Sequence, residues 1–351
     1  MPTLSPRRST LSDVVGSSHI HGLYSFTNED VLNEGAAALL EMGTRVIKVI
    51  MREDPAAHYP FNSAWPPVET LVDMAQTRHF RDLFARPFTT FILMAFSLEK
   101  PVHYFVERFS ADDAEFERES MYRFAKHLLT TYRDTGKTFV IQNWESDWVL
   151  TPPEGPATPT PTRELDDDQA ERMVAWCAAR QAGVEQARAE VGDTGVNVLH
   201  ALEVNLIGAA LRGRRCVTNC VVPHTRCDLY SYSSWDTQND PAIFRDALSY
   251  LKEHAPASAT CGRENVYVGE YGAPENEVGR PEAQIRLIRS ATETALDWGA
   301  RYVVYWQLYC NEPARPYDGR PGNDDLRGFW LIRPDGTRPP VYDTLRAFMN
   351  G

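Results

Sequence analysis

The stretch Val140-Ile-Gln-Asn-Trp-Glu145 is a short apolar run that ends in a carboxylate. A second stretch, Val266-Tyr-Val-Gly-Glu-Tyr-Gly272, repeats that arrangement much later in the chain. Val, Ile and Tyr favour strands, so each stretch is predicted to be a strand with a glutamate at its carboxyl end. Outward from these two points, the same alternation of short apolar runs and longer amphipathic runs continues along the chain.

Eight strands are predicted from this alternation, over residues 18–24, 45–51, 88–96, 138–145, 196–204, 227–232, 266–271 and 302–308. Helices are predicted over 28–42, 68–84, 111–134, 166–191, 241–254, 281–298 and 340–349, whereas 208–226 shows no clear helix. Strands alternating with helices indicate a parallel sheet. An open doubly wound sheet is the alternative, but no Gly-rich phosphate loop follows any strand. The predicted fold is therefore α/β, a single (β/α)8 TIM barrel with elaborated βα loops. One domain spans residues 1–351, with 1–15 as a loose N-terminal segment.

Composition excludes some partners. The net charge of −12 argues against nucleic acid and anionic membrane surfaces. No apolar run reaches the roughly 18 residues of a membrane helix, and no apolar core follows the early arginines as in a signal peptide. A cytoplasmic location is therefore favoured, and the oligomeric state is left open.

Three of the six cysteines, Cys216, Cys220 and Cys227, are close together with the spacing C-x3-C-x6-C. Zinc sites usually contain C-x2-C pairs, which are missing here. Two interpretations remain: a disulfide in this loop, or free thiols.

Glu145 and Glu270 are the candidate catalytic residues. Active sites of such barrels lie at the carboxyl ends of the strands, and these glutamates end the fourth and seventh strands. A single glutamate there is more often a solvated rim residue. A pair that faces one pocket, accompanied by Trp144, Trp148 and Tyr271, is typical of an enzyme that cleaves glycosidic bonds.

On these residues the chain resembles the retaining (β/α)8-barrel glycoside hydrolase superfamily, clan A, which includes cellulases, mannanases and β-galactosidases. The resemblance implies hydrolysis of O-glycosidic bonds with retention, by double displacement on an oligosaccharide or glycoside. Glu270 would be the nucleophile and Glu145 the acid/base. Glu203, at the end of the fifth strand, is the replacement candidate for Glu145. We expect neither a cofactor nor a metal.

The resemblance also implies contacts to the sugar. Tyr232, or else Tyr230, would hydrogen-bond the nucleophile, and Trp306 would form the floor of a sugar subsite. Trp144 stands where the family has an asparagine, so Asn143 is displaced by one residue. The expected substrate-binding residues are Asn143, Trp144, Tyr232, Trp306, Lys48, His21, Gln307 and Glu312.

Two alternatives come from other classes of function. His19 and His21 at the first strand, with His200 and His224 further on, would suit a metal-dependent amidohydrolase-like barrel, although strand eight lacks the required Asp. A non-catalytic carbohydrate-binding barrel would keep its tryptophans as stacking platforms without needing the acids.

Overall fold

The computed structural model describes residues 10–155 and 161–350, and its centre is a closed barrel of eight parallel strands in sequence order. The strands are β1 Val15–Ser18, β2 Val46–Met51, β3 Thr90–Ala95, β4 Thr138–Gln142, β5 Asn197–Val204, β6 Leu229–Ser233, β7 Val266–Tyr271 and β8 Val303–Tyr305. The barrel closes where Val15 of β1 pairs with Val303 of β8. The predicted α/β barrel is confirmed.

Helices connect the strands and surround the barrel. They are α1 Val31–Met42, α2 Pro55–His58, α3 Leu71–Gln76, α4 Arg78–Ala85, α5 Ala111–Thr131, α6 Ser146–Leu150, α7 Asp167–Val191, α8 Ile207–Ala210, α9 Val217–Cys220, α10 Pro241–His254, α11 Glu275–Val278, α12 Pro281–Trp298 and α13 Pro340–Asn350, with 3-10 turns at Leu11–Asp13, Val222–His224 and Asn323–Asp325. None of the helices in the described ranges is long and apolar enough to cross a bilayer.

Several predicted boundaries were wrong. The predicted helix over 68–84 is two helices, because the Thr77 side chain accepts a hydrogen bond from Phe80 N and starts α4. The first strand lies earlier than predicted, so the segment around His21 follows β1 rather than forming it. Residues 1–9 of the expected loose segment lie outside the described part. Leu11–Asp13 folds against the barrel, where Ser12 O accepts from Arg45 N at 2.8 Å.

The core has two layers. Inward-facing strand residues fill the barrel, among them Val46, Ile92, Val140, Leu199 and Val304. A larger cluster lies between the strands and the helices. Side chains alternate between these layers along each strand, which determines which of them reach the upper end of the barrel. All six cysteines are free thiols.

Candidate active site

A cavity of about 1020 Å³ opens at the carboxyl end of the barrel strands, and both Glu145 and Glu270 line it. The walls are largely aromatic and apolar. They include Trp144, Trp148, Trp235, Trp306, Phe96 and Phe329. The barrel therefore brings the two predicted carboxylates from distant parts of the sequence into one pocket.

Both carboxylate oxygens of Glu270 have hydrogen-bond donors. Its Oε1 accepts a hydrogen bond from Lys48 Nζ at 2.7 Å, and its Oε2 accepts one from Trp235 Nε1 at 3.2 Å. Burial raises the pKa of Glu270 to about 7, with Glu203 adding to the rise and Lys48 opposing it. Because both carboxylate oxygens already have donors, the charged form is the one that this environment accommodates.

Glu145 has the opposite environment. Its Oε1 is buried and has no hydrogen-bond partner among the described residues. Burial raises the pKa of Glu145 well above its ordinary value, and the nearby carboxylates of Glu270 and Glu203 raise it further. Lys48 and the Trp235 N–H oppose this shift only partly. The neutral acid is therefore favoured at this position.

Local backbone geometry turns each glutamate into the pocket. Glu145 has φ +23°, an unusual conformation for a residue other than glycine, and it directly precedes α6. The strand therefore ends at Gln142 and not at Glu145 as predicted. On the other side, the pairing register of β7 shifts next to Glu270, which faces Ser233 of β6.

Gly269 allows this arrangement in β7. A Cβ atom at that position would lie 1.9 Å from Ser231 Oγ and 2.6 Å from Glu203 Oε2. The Gly269 carbonyl also accepts a hydrogen bond from Lys48 Nζ at 3.3 Å. The glycine next to the glutamate is therefore required by the polar network beneath it.

Glu203 is the centre of that network. It is fully buried, and its Oε2 accepts from Lys48 Nζ at 3.1 Å, Gln142 Nε2 at 2.9 Å and Ser231 Oγ at 2.8 Å. Its Oε1 accepts from the backbone N of Glu145 at 3.2 Å. Glu203, considered above as a substitute for Glu145, thus lies beneath the pocket and links both candidate catalytic residues.

Other predicted residues also lie at the pocket. Trp144, Trp306, His21 and Glu312 line it, and Trp306 Nε1 donates to Glu312 Oε1 at 2.8 Å. Lys48 contacts Glu270 from below. Its burial lowers the pKa of the ammonium, but the carboxylates of Glu203 and Glu270 outweigh this and raise it.

Tyr232 does not make the expected hydrogen bond to Glu270. Its hydroxyl bonds to Asp236 and Thr237, and its ring packs towards α10. The reason is the alternation of side chains along β6: Ser231 points into the barrel, so Tyr230 and Tyr232 point away from it. Trp235 donates to Glu270 instead.

Asn143 and Gln307 are also absent from the lining of the pocket. Asn143 Nδ2 donates to Ser146 Oγ at 2.7 Å, and its Oδ1 accepts from Glu203 N at 3.1 Å. Gln307 is fully buried and donates to Asn311 Oδ1 at 2.5 Å. Asn143 therefore supports the backbone around the site, and the sugar contact inferred for it stays a prediction.

Sequence reasoning missed several pocket residues, namely Trp235, Arg52, His58, His103 and Arg327. Each lies beyond a strand end, on a loop or, for His58, in the four-residue helix α2, where no periodicity specifies the direction of a side chain. The position of Trp235 three residues after Tyr232 was an available signal, because aromatic residues just beyond a barrel strand fall at the active-site end.

The histidines do not form a metal site. His19 is fully buried, and its ring lies against α1, where Nε2 is 2.7 Å from the Val31 carbonyl. His200 contacts Arg180 and Gln181 in the interior. The described residues contain no group of three side chains able to hold a metal ion. The amidohydrolase-like alternative therefore has no geometric support in this part of the chain.

Comparisons with known proteins identify the fold. No family model matches the sequence, and no curated protein matches it significantly. Solved structures do match. A GH5_18 enzyme from Bifidobacterium longum subsp. longum, crystallised with Manb1-4GlcNAc, has a TM-score of 0.60 at 15% identity, over 96% of this chain and 78% of that chain.

Two further matches are similar in extent. A GH5-4 broad-specificity endoglucanase from Clostridium longisporum has a TM-score of 0.58 at 10% identity, over 99% of both chains. An exo-beta-1,4-mannosidase from Opitutaceae bacterium strain TAV5 has a TM-score of 0.59 at 13% identity, over 96% of this chain and 59% of that chain. This protein therefore shares its barrel fold with enzymes that act on sugars.

Proposed function

We propose that this protein is a retaining glycoside hydrolase in which Glu270 is the nucleophile and Glu145 the general acid/base. The observation that carries the proposal is the asymmetry of the pair. Lys48 and Trp235 bind both oxygens of Glu270, whereas Glu145 Oε1 is buried without a partner. One carboxyl is thereby suited to be charged and the other to be protonated, as double displacement requires.

In the first step, the Glu270 carboxylate attacks the anomeric carbon of the sugar and forms a glycosyl ester. The Glu145 carboxyl gives its proton to the departing glycosidic oxygen, so that the leaving group departs as a neutral alcohol. The hydrogen bonds from Lys48 and Trp235 to Glu270 weaken, because the carboxylate loses its charge when the ester forms. Glu145 is then left as a carboxylate.

In the second step, that carboxylate takes a proton from water, which attacks the anomeric carbon and breaks the ester bond. Glu270 returns to its charged form and Glu145 to its neutral form. Two displacements at one carbon restore the original anomeric configuration. The aromatic wall formed by Trp144, Trp235 and Trp306 offers stacking surfaces for sugar rings.

The substrate class inferred is an oligosaccharide or glycoside. Structural neighbours named as GH5 enzymes, an endoglucanase and an exo-mannosidase support this class. So does the clan A resemblance, which rests on Glu145, Glu270 and Trp306. The neighbours differ in the sugars that their names state, so the proposal does not name one.

Glu145→Gln and Glu270→Gln test the roles. A panel of chromogenic glycosides is assayed with wild type, both variants and Glu190→Gln, which removes an exposed carboxylate from α7. The kcat of each pocket variant is expected to fall by about 100- to 10,000-fold, because proton transfer or nucleophilic attack is lost. The surface control should retain activity.

Circular dichroism spectra of the variants, compared with wild type, are the control for folding. Unchanged turnover in either pocket variant would remove that residue from the mechanism. Wild-type protein that binds oligosaccharides but hydrolyses none of them would favour the non-catalytic carbohydrate-binding barrel.

A further inference from the structure

One wall of the pocket takes no part in the chemistry described above. It is formed by residues that follow the first three strands. Its ionisable side chains in the lining are all arginine or histidine. We define this Arg-His wall as His21, Arg52, His58 and His103. The carboxylates that line the cavity lie elsewhere: Glu145 and Glu270 are at the reaction centre, and Glu277 and Glu312 lie on the loops after β7 and β8.

Arg52 has unused hydrogen-bonding capacity. Its Nη2 pairs with Glu53 Oε1 at 2.9 Å, and both side chains are partly exposed, at 34% and 45%. Such an exposed pair compensates the charge only weakly. Arg52 Nε, in contrast, is buried and has no partner among the described residues. A buried donor of this kind is costly unless a ligand satisfies it.

The three histidines are neutral at physiological pH. Burial and the nearby Arg52 together lower the pKa of His21 to about 4, and burial, His21 and Arg52 together lower that of His58 to about 3. Burial and Arg52 also lower the pKa of His103. His21 and His58 hydrogen-bond to each other, while His103 Nδ1 is buried without a partner among the described residues. The wall thus combines one guanidinium charge with imidazole groups that can donate hydrogen bonds.

The opposite side of the pocket is different. There, Arg327 pairs with both Glu277 and Glu312, at 2.6 Å to Glu312 Oε2. The charge of Arg327 is therefore matched within the protein, whereas Arg52 has, among the described residues, only its exposed neighbour Glu53. A negatively charged group on a bound sugar would find its complement at the Arg-His wall and not at Arg327.

We infer that the Arg-His wall is a specificity subsite for a sugar bearing an anionic substituent, a carboxylate or a sulfate ester. Arg52 supplies the charge, and His103 supplies a further N–H. The inference rests on the proposed function for its context, since the wall adjoins the Glu145–Glu270 pair. A neutral hydroxyl could occupy the same space, but it would leave the guanidinium without a counter-charge in the pocket.

Binding of free sugars to the wild-type protein tests the inference independently of turnover. We compare D-glucuronate and D-glucose 6-sulfate with D-glucose, and D-galacturonate with D-galactose. Binding is measured by the fluorescence of the pocket tryptophans or by calorimetry. The anionic member of each pair is expected to bind about 10- to 100-fold more tightly, the range for one added charge-assisted hydrogen bond. The affinities of the carboxylate sugars and of the sulfate sugar show which of the two anionic groups the wall binds.

Arg52→Met then assigns the preference to the wall. The ratio of anionic to neutral affinity should fall by about 10- to 100-fold, because the charge-assisted hydrogen bond is lost. Arg123→Met, which removes an exposed arginine from a salt bridge on α5, should leave that ratio unchanged. Equal or weaker binding of the anionic sugars by wild type, or no binding of any of them, would overturn the inference even if Arg52→Met does not fold.

The two proposals fail in different ways. Hydrolysis of neutral glycosides without any anionic preference would leave the proposed function standing and remove the subsite. Tight binding of uronate without hydrolysis of any glycoside or uronide would retain the subsite and remove the proposed function.

Discussion

At the scale of single residues, two glutamates of the same chemical type are given different states by their neighbours. Lys48 contacts Glu270 and not Glu145, and Glu203 raises the pKa of both. Activity on a glycoside should therefore require pH values above the pKa of Glu270 and below that of Glu145.

The first prediction is the shape of the pH profile. Since Glu270 must be ionised, kcat/KM should fall as the pH drops through about 7, the pKa of Glu270. Since Glu145 must be protonated, activity should fall again at a higher pH. The measurement is kcat/KM for a chromogenic glycoside from pH 4 to about 10. An activity maximum near pH 4, where Glu270 would be protonated, would contradict these assignments.

The second prediction concerns Glu203. Replacing it with Gln in Glu203→Gln removes a negative charge that raises the pKa of both Glu145 and Glu270, so both limbs of the pH profile should move to lower pH. The buried hydrogen bonds that Glu203 Oε2 accepts from Lys48 and Ser231 are weakened while Lys48 keeps Glu270, so the free energy of unfolding should drop by about 1–3 kcal/mol. Chemical denaturation and the pH profile measure the two effects. If the variant is less stable but its pH profile is unchanged, Glu203 has a structural role only.

The third prediction concerns the indole N–H of Trp235. Trp235→Phe keeps an aromatic ring in the pocket wall but removes the donor to Glu270 Oε2. The indole N–H lowers the pKa of both Glu270 and Glu145, so both limbs should move to higher pH, and kcat should fall by about 10- to 100-fold. Trp298→Phe, which removes the N–H of a half-buried indole that donates to Ser249 Oγ outside the pocket, is the matched control. Equal effects of the two substitutions would argue against a specific role for Trp235.

At the scale of elements, the sequence predicted some bounds well. Strand β7 and helices α10 and α12 have the bounds expected from their apolar periodicity and their proline starts. Their ends coincide with clear chemical signals, such as Gly299 in the left-handed conformation after α12.

The contact predicted between Tyr232 and Glu270 is missing at the upper ends of β6 and β7. Tyr232 and Glu270 occupy strands whose registers shift at their upper ends, between Tyr232 and Ser233 and again near Tyr271. Side chains still alternate as far as Tyr232, which points away from the barrel, but the shifts beyond it change which residues lie beside Glu270. Glu270 was placed correctly in the pocket by analogy with the family, and Tyr232 was not.

The fourth prediction tests the packing of α7 on α5. Gly183 in α7 lies so close to α5 that an added Cβ would be 2.2 Å from the backbone oxygen of Arg118. Alanine favours helices by about 1 kcal/mol over glycine, but the rigid backbone cannot yield. Gly183→Ala should therefore lower the free energy of unfolding by about 1–3 kcal/mol, measured by chemical denaturation. Gly155→Ala, where the added Cβ meets no atom of the described residues within 4 Å, is the control. A more stable Gly183→Ala variant would show that the helices can separate at no cost.

At the scale of the whole molecule, barrel closure brings the two acids together. Glu145 and Glu270 follow the fourth and seventh strands, and both face one cavity because all eight strands are parallel. The strand count therefore predicted the fold, and together with the family resemblance it predicted that Glu145 and Glu270 share one pocket. Of the Arg-His wall only His21 was predicted to bind substrate, because Arg52, His58 and His103 lie in connections whose course depends on tertiary packing.

The stereochemistry of hydrolysis tests the central claim most directly. A substrate from the glycoside panel is hydrolysed within an NMR tube, and the anomeric proton of the first-formed sugar is observed before mutarotation. Double displacement through Glu270 predicts a product with the anomeric configuration of the substrate. A first-formed product of inverted configuration would contradict the account, because Glu270 would then activate water rather than form a bond to the sugar.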